Sequence, residues 1–304
     1  MKAAVYTKYG PPEVVSIIEV DTPKPKANEI LIKIEAATLT AGDARLRASD
    51  FPPAFWLIAR LIFGLFKPKK KILGHEYSGV VKEIGSQVSK FAVGDSVFGT
   101  STLLKAGSHA EYICVPQQWK QGVVRIKPDG LSHKQAAAIP VGGMAALYLL
   151  EKAKISKGQN VLVYGASGSV GSYAVQLAKA LGSAVTGVCS TVNMEMVQSL
   201  GAETVIDYKK DDFTTTQDRF DIIFDAVGKA PKSKAKKLLK KGGSYVSVNM
   251  ITTEKDAHLE LLSELAISGR LKAFVDKEFN LDQIVQAHAY VDSGRKRGNL
   301  LIIP

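Results

Sequence analysis

The chain has 304 residues, of which 46% are hydrophobic and 23% charged, which is typical of a globular protein with two buried cores. Its net charge is +11 at pH 7, and the lysines gather in three separate runs, at residues 67–71, 229–243 and 294–298. No zinc-finger spacing or aromatic RNA-binding signature accompanies these runs, so a solvated surface is favoured and no specific nucleic-acid partner is expected. Within the second run, Lys234, Lys237 and Lys241 are predicted to share one face of a surface helix.

The cysteine count and the N-terminus indicate a reducing compartment. Only Cys114 and Cys189 are present, far apart in the sequence, which argues against a disulfide framework. The first residues, MKAAVYTKYGPPE, lack the apolar core and the small-residue cleavage site of a signal peptide. We therefore expect a cytoplasmic protein with reduced thiols.

The sequence up to about residue 118 is rich in predicted strands. Segments with β-branched or alternating apolar residues end at Gly, Pro, Asn or Asp: KAAVYTKYG, EILIKIEAATL, SGVVKEIGS, DSVFGTS and HAEYICVP. This pattern predicts a barrel-like β domain.

One apolar segment interrupts these strands, FPPAFWLIARLIFGLF at residues 51–66. It is too short to span a bilayer, and Arg60 and Gly64 interrupt it, so no transmembrane segment is expected. Three interpretations remain open. The segment is a helix packed on the β domain, an apolar lid over a substrate cleft, or a membrane-surface anchor helped by the following KPKKK.

From about residue 132 onward, short apolar runs alternate with amphipathic helices. The runs are NVLVYG, SAVTGVC, AETVIDY, FDIIFDAVG and GSYVSVNM. Such alternation predicts a parallel sheet in a doubly wound α/β fold. The last strand, NLLIIP, is predicted to return to the first domain. The expected domains are therefore residues 1–120 with 255–304, and residues 121–254.

The most specific signal is NVLVYGASGSVGSYAVQLAKALG, residues 160–182. Gly165, Gly168 and Gly171 follow an apolar strand and precede a helix, with Ala166 inside the turn. Small residues are needed there because the backbone must approach a pyrophosphate closely, and the helix N-terminus then presents N–H groups and a positive dipole end. Because the glycines lie in a strand–turn–helix context, we predict a dinucleotide site.

The end of the next strand indicates which dinucleotide binds. A site for NAD usually places Asp or Glu there to bind the ribose 2′-hydroxyl, but this chain continues with CSTVN. Ser190, Thr191 and Asn193 can donate hydrogen bonds to a 2′-phosphate, and Tyr208 and Lys209 could close the pocket. The sequence favours NADPH. A dual-specificity site remains the alternative, since this loop contains no arginine.

Several motifs together resemble the zinc-independent quinone oxidoreductases of the medium-chain dehydrogenase/reductase superfamily. These motifs are KAAVYTKYGPPEV, LTAGDARLR, ILGHEYSGVVKEIGSQVSKFAVGDSVFG, GASGSVGSYAVQLAKALG, GAETVIDY and FDAVG. The resemblance covers nearly the whole chain. It implies a GroES-like β-barrel-type catalytic domain, a Rossmann nucleotide-binding domain and an active cleft between them.

The resemblance also implies which residues contact the cofactor. It assigns the ribose and its phosphate to Ser190, Asn193 and Tyr208. It assigns the pyrophosphate to Gly168, Ser169 and Val170, beside Gly165 and Ala166 of the glycine turn. It places Val227 and Val248 beside the nicotinamide, and Arg297 and Asn299 at positions that often close over the cofactor. Two departures are Ala145, where relatives usually have threonine, and Val192, where near relatives often have a basic residue.

Zinc members of the superfamily hold a catalytic metal with Cys, His and Cys or Asp, and a catalytic zinc needs three protein ligands. The first of these positions is Thr40, the second is His75, and the third falls near Pro140. The four-cysteine structural lobe cannot form from two cysteines. The sequence therefore predicts that no metal is bound.

Without a metal, hydride transfer favours acceptors that delocalise the developing negative charge themselves, such as quinones and α,β-unsaturated carbonyls. Candidate catalytic groups are Thr40, Asp43, His75 and Asn249, although Asp43 could instead pair with Arg45. We expect an NADPH-dependent reductase of small apolar conjugated substrates that forms a homodimer. The alternatives are a non-catalytic NADPH-binding sensor or RNA-associated protein, and an alcohol dehydrogenase of the same superfamily.

Overall fold

The computed structural model describes residues 1–119 and 122–304. The strands are β1 Lys2–Tyr6, β2 Val15–Glu19, β3 Glu29–Thr38, β4 Glu76–Ile84, β5 Ser96–Thr100, β6 Tyr112–Pro116, β7 Val123–Ile126, β8 Asn160–Tyr164, β9 Ala184–Cys189, β10 Thr204–Asp207, β11 Phe220–Asp225, β12 Leu239–Ser247, β13 Val275–Asn280 and β14 Asn299–Ile303. The α-helices are α1 Ala41–Ala48, α2 Pro53–Phe63, α3 Thr102–Lys105, α4 His133–Ala138, α5 Pro140–Lys152, α6 Ser169–Ala180, α7 Met194–Ser199, α8 Lys232–Ala235, α9 Asp256–Ile267 and α10 Ile284–Asp292.

The chain divides into two compact units, which we call the β unit (Met1–Pro140 with Val275–Pro304) and the α/β unit (Val141–Phe274). The β unit continues to Pro140 because α4 packs on β3 and β4. The α/β unit continues past residue 254 because α9 packs on α5, where His258 Nε2 lies 3.0 Å from Glu151 Oε2. The boundary expected between residues 120 and 121 falls outside the described residues.

The β unit is built on a sheet in the order β13-β14-β3-β4-β5-β7, with β6 also paired to β3. Adjacent strands of this sheet are antiparallel, except that β13 and β14 are parallel. Strands β1 and β2 form a separate antiparallel pair. Alternate residues of β3, Ile30, Ile32 and Ile34, point into one core, as expected for a strand with one buried face. A second core joins α1 and α10 to β14, which pairs with β3. The predicted GroES-like β-barrel-type unit is confirmed.

The α/β unit contains a parallel sheet in the order β10-β9-β8-β11-β12. Strands β9 and β10 lie on one side of β8, the first strand of the unit, and β11 and β12 lie on the other side. Doubly wound dinucleotide-binding folds have this reversal of strand order. The carboxyl ends of β8, β9 and β10 therefore lie at the same edge of the sheet. The predicted Rossmann-type fold is confirmed.

The predicted surface helix in the second lysine run is wrong. Helix α8 ends at Ala235, and Leu239 already begins β12, so Lys241 lies in a strand and shares no helical face with Lys234 and Lys237. Strand β12 pairs with β11 from Leu239 to Ser247. Pairing with a central strand has overridden the local helix preference of a lysine- and leucine-rich segment.

The apolar segment at residues 51–66 forms α2, which packs on the β unit through one face only. Ala59 is buried, and Phe63 stacks on Phe51 with ring centroids 5.9 Å apart. The other large apolar side chains of the segment are exposed to solvent. Among the helices that the structure describes, none is both long and apolar enough to cross a membrane.

Both cysteines are free thiols that burial makes hard to ionise. Cys114 lies in β6, and burial, followed by the negative charges of Glu29 and Glu83, raises its pKa to about 12. Cys189 ends β9, and burial together with Asp207 raises its pKa to about 11. Both side chains therefore remain protonated at neutral pH.

A turn connects strand β8 to α6, and two positions of this connection accept only glycine. Gly165 has a φ of +78°, in the left-handed region. At Gly171, in the first turn of α6, an added Cβ would lie only 2.1 Å from the carbonyl oxygen of Gly165. At Gly168, between them, an added Cβ would lie 3.5 Å from the same oxygen. Helix α6 therefore rests directly on the end of β8.

We expect the substitution Gly171→Ala to lower the free energy of unfolding by about 1–3 kcal/mol, because the methyl group must push α6 away from Gly165. The control Gly168→Ala adds its methyl group at ordinary contact distance and should cost less than about 1 kcal/mol. Denaturant unfolding followed by circular dichroism measures both. Equal losses in the two variants would contradict the close approach of α6 to β8.

Candidate functional site

The glycine turn is rigidly held at the carboxyl edge of the parallel sheet. The backbone N–H groups of Gly165 and Ala166 both donate to the carbonyl of Val188, at 2.9 and 3.1 Å, which ties the turn to β9. Helix α6 begins after Gly168, which offers no side chain to cap it. The N–H groups of the first turn, including Ser169 and Val170, thus form a positive helix end suited to a phosphate group.

Polar side chains continue this surface at the end of β9. The amide Nδ2 of Asn193 lies 3.1 Å from both Ser167 Oγ and Ser190 Oγ. Its Oδ1 is buried and has no hydrogen-bond partner among the described residues. Because the amide nitrogen donates to both serines, their hydroxyl hydrogens stay free to donate elsewhere. Ser190 can therefore donate to an anionic ligand, and Asn193 holds its side chain in place.

Sequence reasoning missed the role of Asp207, the last residue of β10. Its Oδ2 accepts from Thr191 Oγ1 at 2.5 Å, and its Oδ1 accepts from the backbone N–H of Lys209 at 3.0 Å. The hydrogen bond from Thr191 lowers the pKa of Asp207, which therefore stays ionised. The hydroxyl of Thr191 is already bound to this carboxylate, so Thr191 is not a free donor for a phosphate group.

A cavity of about 310 Å³ lies beside β10, with Tyr164, Tyr208 and Phe213 among its lining residues. Lys209, Lys210, Asp211 and Asp212 line it as well. The two carboxylates offset the two lysines, so the lining has no net positive charge. Tyr208 is half exposed, so its ring is accessible from this cavity. Val192, which replaces the basic residue of relatives, points into solvent.

Asp225, at the end of β11, organises the loop that carries Val227. Its carboxylate accepts from the backbone N–H groups of Val227 at 3.1 Å and Gly228 at 2.8 Å, and from Tyr245 Oη at 3.0 Å. Burial and the Asp225 charge raise the pKa of Tyr245, which stays a donor. Val227 covers Gly165 so closely that a Cβ there would lie 2.2 Å from Val227 Cγ2.

Asn249 was predicted to be catalytic, but the structure gives it a local contact in the α/β unit. Its Nδ2 donates to the carbonyl of Gly228 at 2.9 Å, and its backbone N–H donates to Ser247 Oγ at 3.3 Å. Val248 donates through its N–H to the carbonyl of Asp225 at 3.0 Å. Val227, Val248 and Asn249 therefore lie on two adjacent loops, close to the glycine turn.

In the β unit, Asp43 is the centre of a buried polar cluster. Thr40 caps α1, and its Oγ1 donates to Asp43 Oδ2 at 2.6 Å while accepting from the Asp43 N–H. Asp43 Oδ1 accepts from the Gly74 N–H at 2.9 Å and lies 3.3 Å from His75 Nδ1. The expected alternative, a pair with Arg45, is wrong, because Arg45 points into solvent from the exposed face of α1.

The charge state of Asp43 follows from these partners. Burial raises the pKa of Asp43. The charge and hydrogen bond of His75, the charge of His109 and the hydrogen bond from Thr40 together lower it by more, so the pKa lies well below its usual range. Asp43 is therefore ionised, and His75 donates to it through Nδ1–H. Asp43 is fully buried and its oxygens are occupied, so it can hold His75 in place but cannot itself touch a substrate.

Lys296 was counted as a surface lysine in the sequence, yet its ammonium group is desolvated inside the β unit. It donates to the carbonyl of Gly298 at 2.6 Å. Burial lowers the pKa of Lys296 to about 8, although Glu76, Asp276 and Asp43 oppose this shift. No sequence pattern distinguishes this lysine from its neighbours in GRKRG, because its burial arises only from the tertiary fold.

Two further candidates lie near the C-terminus of the chain, also in the β unit. Arg297 Nε lies 2.9 Å from Asp276 Oδ1, and its N–H donates to Asp276 Oδ2 at 3.0 Å. Asn299 begins β14 and is buried. The structure thus collects Thr40, Asp43 and His75 with the C-terminal candidates in one unit. The glycine turn, Ser190, Asn193, Tyr208, Val227, Val248 and Asn249 lie in the other.

Within residues 1–119 and 122–304, no group of three or more His, Cys, Asp or Glu side chains is arranged to hold a metal ion. Of the three zinc-ligand positions, only His75 carries a ligand type, and its Nδ1 contacts Asp43.

Comparisons with known proteins agree with this architecture. The family described as "Alcohol dehydrogenase GroES-like domain" matches residues 26–128, and two families described as "Zinc-binding dehydrogenase" match residues 169–274 and 248–302.

Two curated relatives and one solved structure are similar over the whole chain. The chain is 35% identical to 2-methylene-furan-3-one reductase of Solanum lycopersicum, covering 100% of this chain and 79% of the relative. It is 30% identical to the chloroplastic NADPH-dependent alkenal/one oxidoreductase of Arabidopsis thaliana, covering 100% of this chain and 80% of the relative. The structure of the quinone oxidoreductase from Coxiella burnetii matches with a TM-score of 0.90 and 29% identity, covering 100% and 99%. The chain therefore belongs to the quinone oxidoreductase-like members of the medium-chain dehydrogenase/reductase superfamily.

Proposed function

We propose that this protein is an NADPH-dependent reductase that transfers a hydride to a quinone or an α,β-unsaturated carbonyl without zinc. The observation that carries the proposal is the glycine turn of the α/β unit. There, an uncapped α6 lies beside a β9 end that presents Ser190 and Asn193 rather than a carboxylate. The names of the two plant relatives, which describe reductases of enones and alkenals, support this class of substrate.

The residues of the α/β unit fit such a cofactor. The first-turn N–H groups at Gly168, Ser169 and Val170 would bind the pyrophosphate, where any Cβ at Gly171 would disturb the turn. Ser190, Asn193 and Tyr208 would bind the ribose and its 2′-phosphate. Val227 and Val248 would lie against the nicotinamide ring. When bound, NADPH supplies the hydride.

The acceptor class follows from how charge is stabilised. Hydride addition to a simple ketone leaves negative charge on a single oxygen, which zinc enzymes stabilise with the metal. Hydride addition to a quinone or an enone leaves an anion that its own conjugated system delocalises. Such acceptors need fewer charge-stabilising groups from the protein, and water can deliver the final proton.

In the β unit, Thr40 and His75 are the two residues that would contact the substrate. Asp43 is a positioning residue, because it is buried and holds both Thr40 and His75 through hydrogen bonds. Asn249 holds Gly228 in the loop of Val227 and is also a positioning residue. Arg297 and Asn299 stay predicted cofactor contacts. A homodimer in the cytoplasm likewise stays a prediction.

Turnover tests the proposal directly. The purified protein is mixed with NADPH and a panel of quinones, enones and saturated ketones, and NADPH absorbance is followed. We expect oxidation of NADPH with the conjugated acceptors and little with the ketones. Tight NADPH binding with no turnover on any acceptor would instead support a non-catalytic cofactor-binding protein.

The cofactor preference should change at Ser190. The substitution Ser190→Asp places a carboxylate where the 2′-phosphate is expected, so NADPH affinity should fall at least about tenfold while NADH affinity rises. Ser190→Ala, the matched control, removes one donor without adding charge and should weaken NADPH less. Fluorescence titration with both cofactors measures the affinities. Unchanged NADPH binding in Ser190→Asp would place the phosphate elsewhere.

Metal content should be negligible. Because Thr40 and the region of Pro140 carry no zinc ligand, we expect the active protein to hold much less than one zinc per chain. Elemental analysis measures the content, and a chelator should leave quinone reduction unchanged. One tightly bound zinc per chain, lost together with activity, would show that the mechanism depends on a metal.

The substitution Asp43→Asn should destabilise the fold by about 3–5 kcal/mol, since it leaves His75 and Thr40 without their buried anion. The pKa of Asp43 is lowered on folding, so its contribution is present above its unfolded pKa and is lost as pH falls through the folded value. The stability gap between wild type and variant should therefore be constant near neutral pH and shrink only in acid.

The exposed Asp50 provides the matched control, Asp50→Asn, which should leave stability unchanged. In Asp43→Asn, kcat with a quinone should also fall while NADPH affinity is kept, because the hydrogen-bond partners of Asp43 are Thr40, Gly74 and His75, none of which is a predicted cofactor contact. A gap that widens toward low pH would mean that Asp43 is protonated in the folded protein.

A further inference from the structure

Helix α2 presents a continuous apolar face to solvent. At 100° per residue, the side chains of Phe55, Leu57, Ile58, Leu61 and Ile62 fall on one side of the helix, and each is between 48% and 63% exposed. A surface helix normally places charged or polar residues on that side. This outer face contains none, so ordinary solvation does not explain it.

The outer face cannot simply turn inward, because the opposite side of α2 is firmly attached. Ala59 is buried, and Phe63 stacks on Phe51. The Arg60 guanidinium lies 4.0 Å from the centre of the Tyr9 ring, and Tyr9 Oη donates to the carbonyl of Gly64 at 2.8 Å. The helix therefore has two apolar sides, of which the β unit covers one.

Positive charge lies directly beside the outer face. The chain turns at Gly64, exposes Leu65 and Phe66, and continues through exposed Lys67, Lys69, Lys70 and Lys71. Lys69 folds back along the helix, with its Nζ 2.7 Å from the carbonyl of Leu61. The lysines are thus grouped at the C-terminal end of α2 rather than spread around it.

The apolar patch is large for an isolated protein. Seven large apolar residues contribute to it, all at least 39% exposed: Phe55, Leu57, Ile58, Leu61, Ile62, Leu65 and Phe66. Together they expose on the order of 800 Å² of apolar surface, more than the roughly 300–600 Å² of the largest patch on a typical monomer. A patch of this size marks an interaction surface.

We propose that α2 and residues 64–71 dock the protein on the surface of an anionic lipid bilayer. The helix is about 16 Å long, too short to span a membrane, so it lies parallel to the surface with its outer face among the acyl chains. The four lysines then contact anionic headgroups.

Charge favours a bilayer over a second copy of the chain. In a symmetric dimer built on this face, the same patch meets itself, which brings two sets of four lysines toward each other. An anionic bilayer complements these lysines, and each lysine near such a surface strengthens binding by roughly fivefold. The proposal is independent of the proposed reductase activity, because docking requires neither cofactor nor acceptor.

The test measures binding of the purified chain to phosphatidylcholine vesicles with and without phosphatidylserine, by flotation. We expect binding that requires phosphatidylserine and weakens with added salt. The double variant Leu57→Ser/Leu61→Ser should lose at least about tenfold in affinity while its melting temperature is kept, since both side chains are exposed. Lys67→Ala/Lys70→Ala/Lys71→Ala should also lose at least about tenfold.

The matched control is Val93→Ser/Ile126→Ser, which removes two side chains of the β unit that are similarly exposed, at 60% and 50%, outside the patch. It should bind vesicles as the wild type does. Failure of the wild type to bind anionic vesicles would overturn the proposal, as would equal binding by Leu57→Ser/Leu61→Ser. If that variant instead converts a dimer to a monomer without any vesicle binding, a second copy covers the face. If only its Michaelis constant for a soluble quinone changes, the segment is a substrate lid.

Discussion

The close approach of Gly171 to the carbonyl oxygen of Gly165 is the constraint on which the α/β unit depends. Because no side chain fits between them, α6 starts directly at the end of β8. The same turn is tied to β9 by two hydrogen bonds to Val188. The exit of β9 is therefore fixed relative to the helix N-terminus, and Asn193 reaches back to Ser167 within the turn. One backbone contact thus sets the spacing between the N-terminus of α6 and the polar groups at the end of β9, which we propose select the cofactor.

The two units hold their polar groups in different ways. The α/β unit presents backbone N–H groups and neutral side chains at a sheet edge, and two carboxylates at the strand ends bind neighbouring loops. Asp207 binds Thr191, and Asp225 binds the loop of Val227. The β unit instead buries a carboxylate, Asp43, which fixes the cap of α1 and the ring of His75 together. In both units acidic side chains organise the loops.

The sequence predicted the architecture because its signals are local. Strand periodicity, the glycine spacing and the missing carboxylate after β9 are each visible within about 20 residues. The errors concern groups whose role depends on distant partners. Part of the lysine-rich segment predicted to be helical forms β12 instead, because it pairs with β11. Asp207 accepts the hydroxyl hydrogen of Thr191, which removes one of the predicted donors. The desolvated ammonium of Lys296 had no sequence signal, because burial is a property of the folded unit.

The two protonated cysteines affect how long such an enzyme would survive its own substrates. Quinones and enones are electrophiles that alkylate thiolates but react slowly with thiols. With pKa values of about 12 and 11, Cys114 and Cys189 present almost no thiolate at neutral pH. The same burial that stabilises the sheets therefore also gives the protein chemical resistance. We therefore expect covalent modification by such acceptors to be slow at either sulfur.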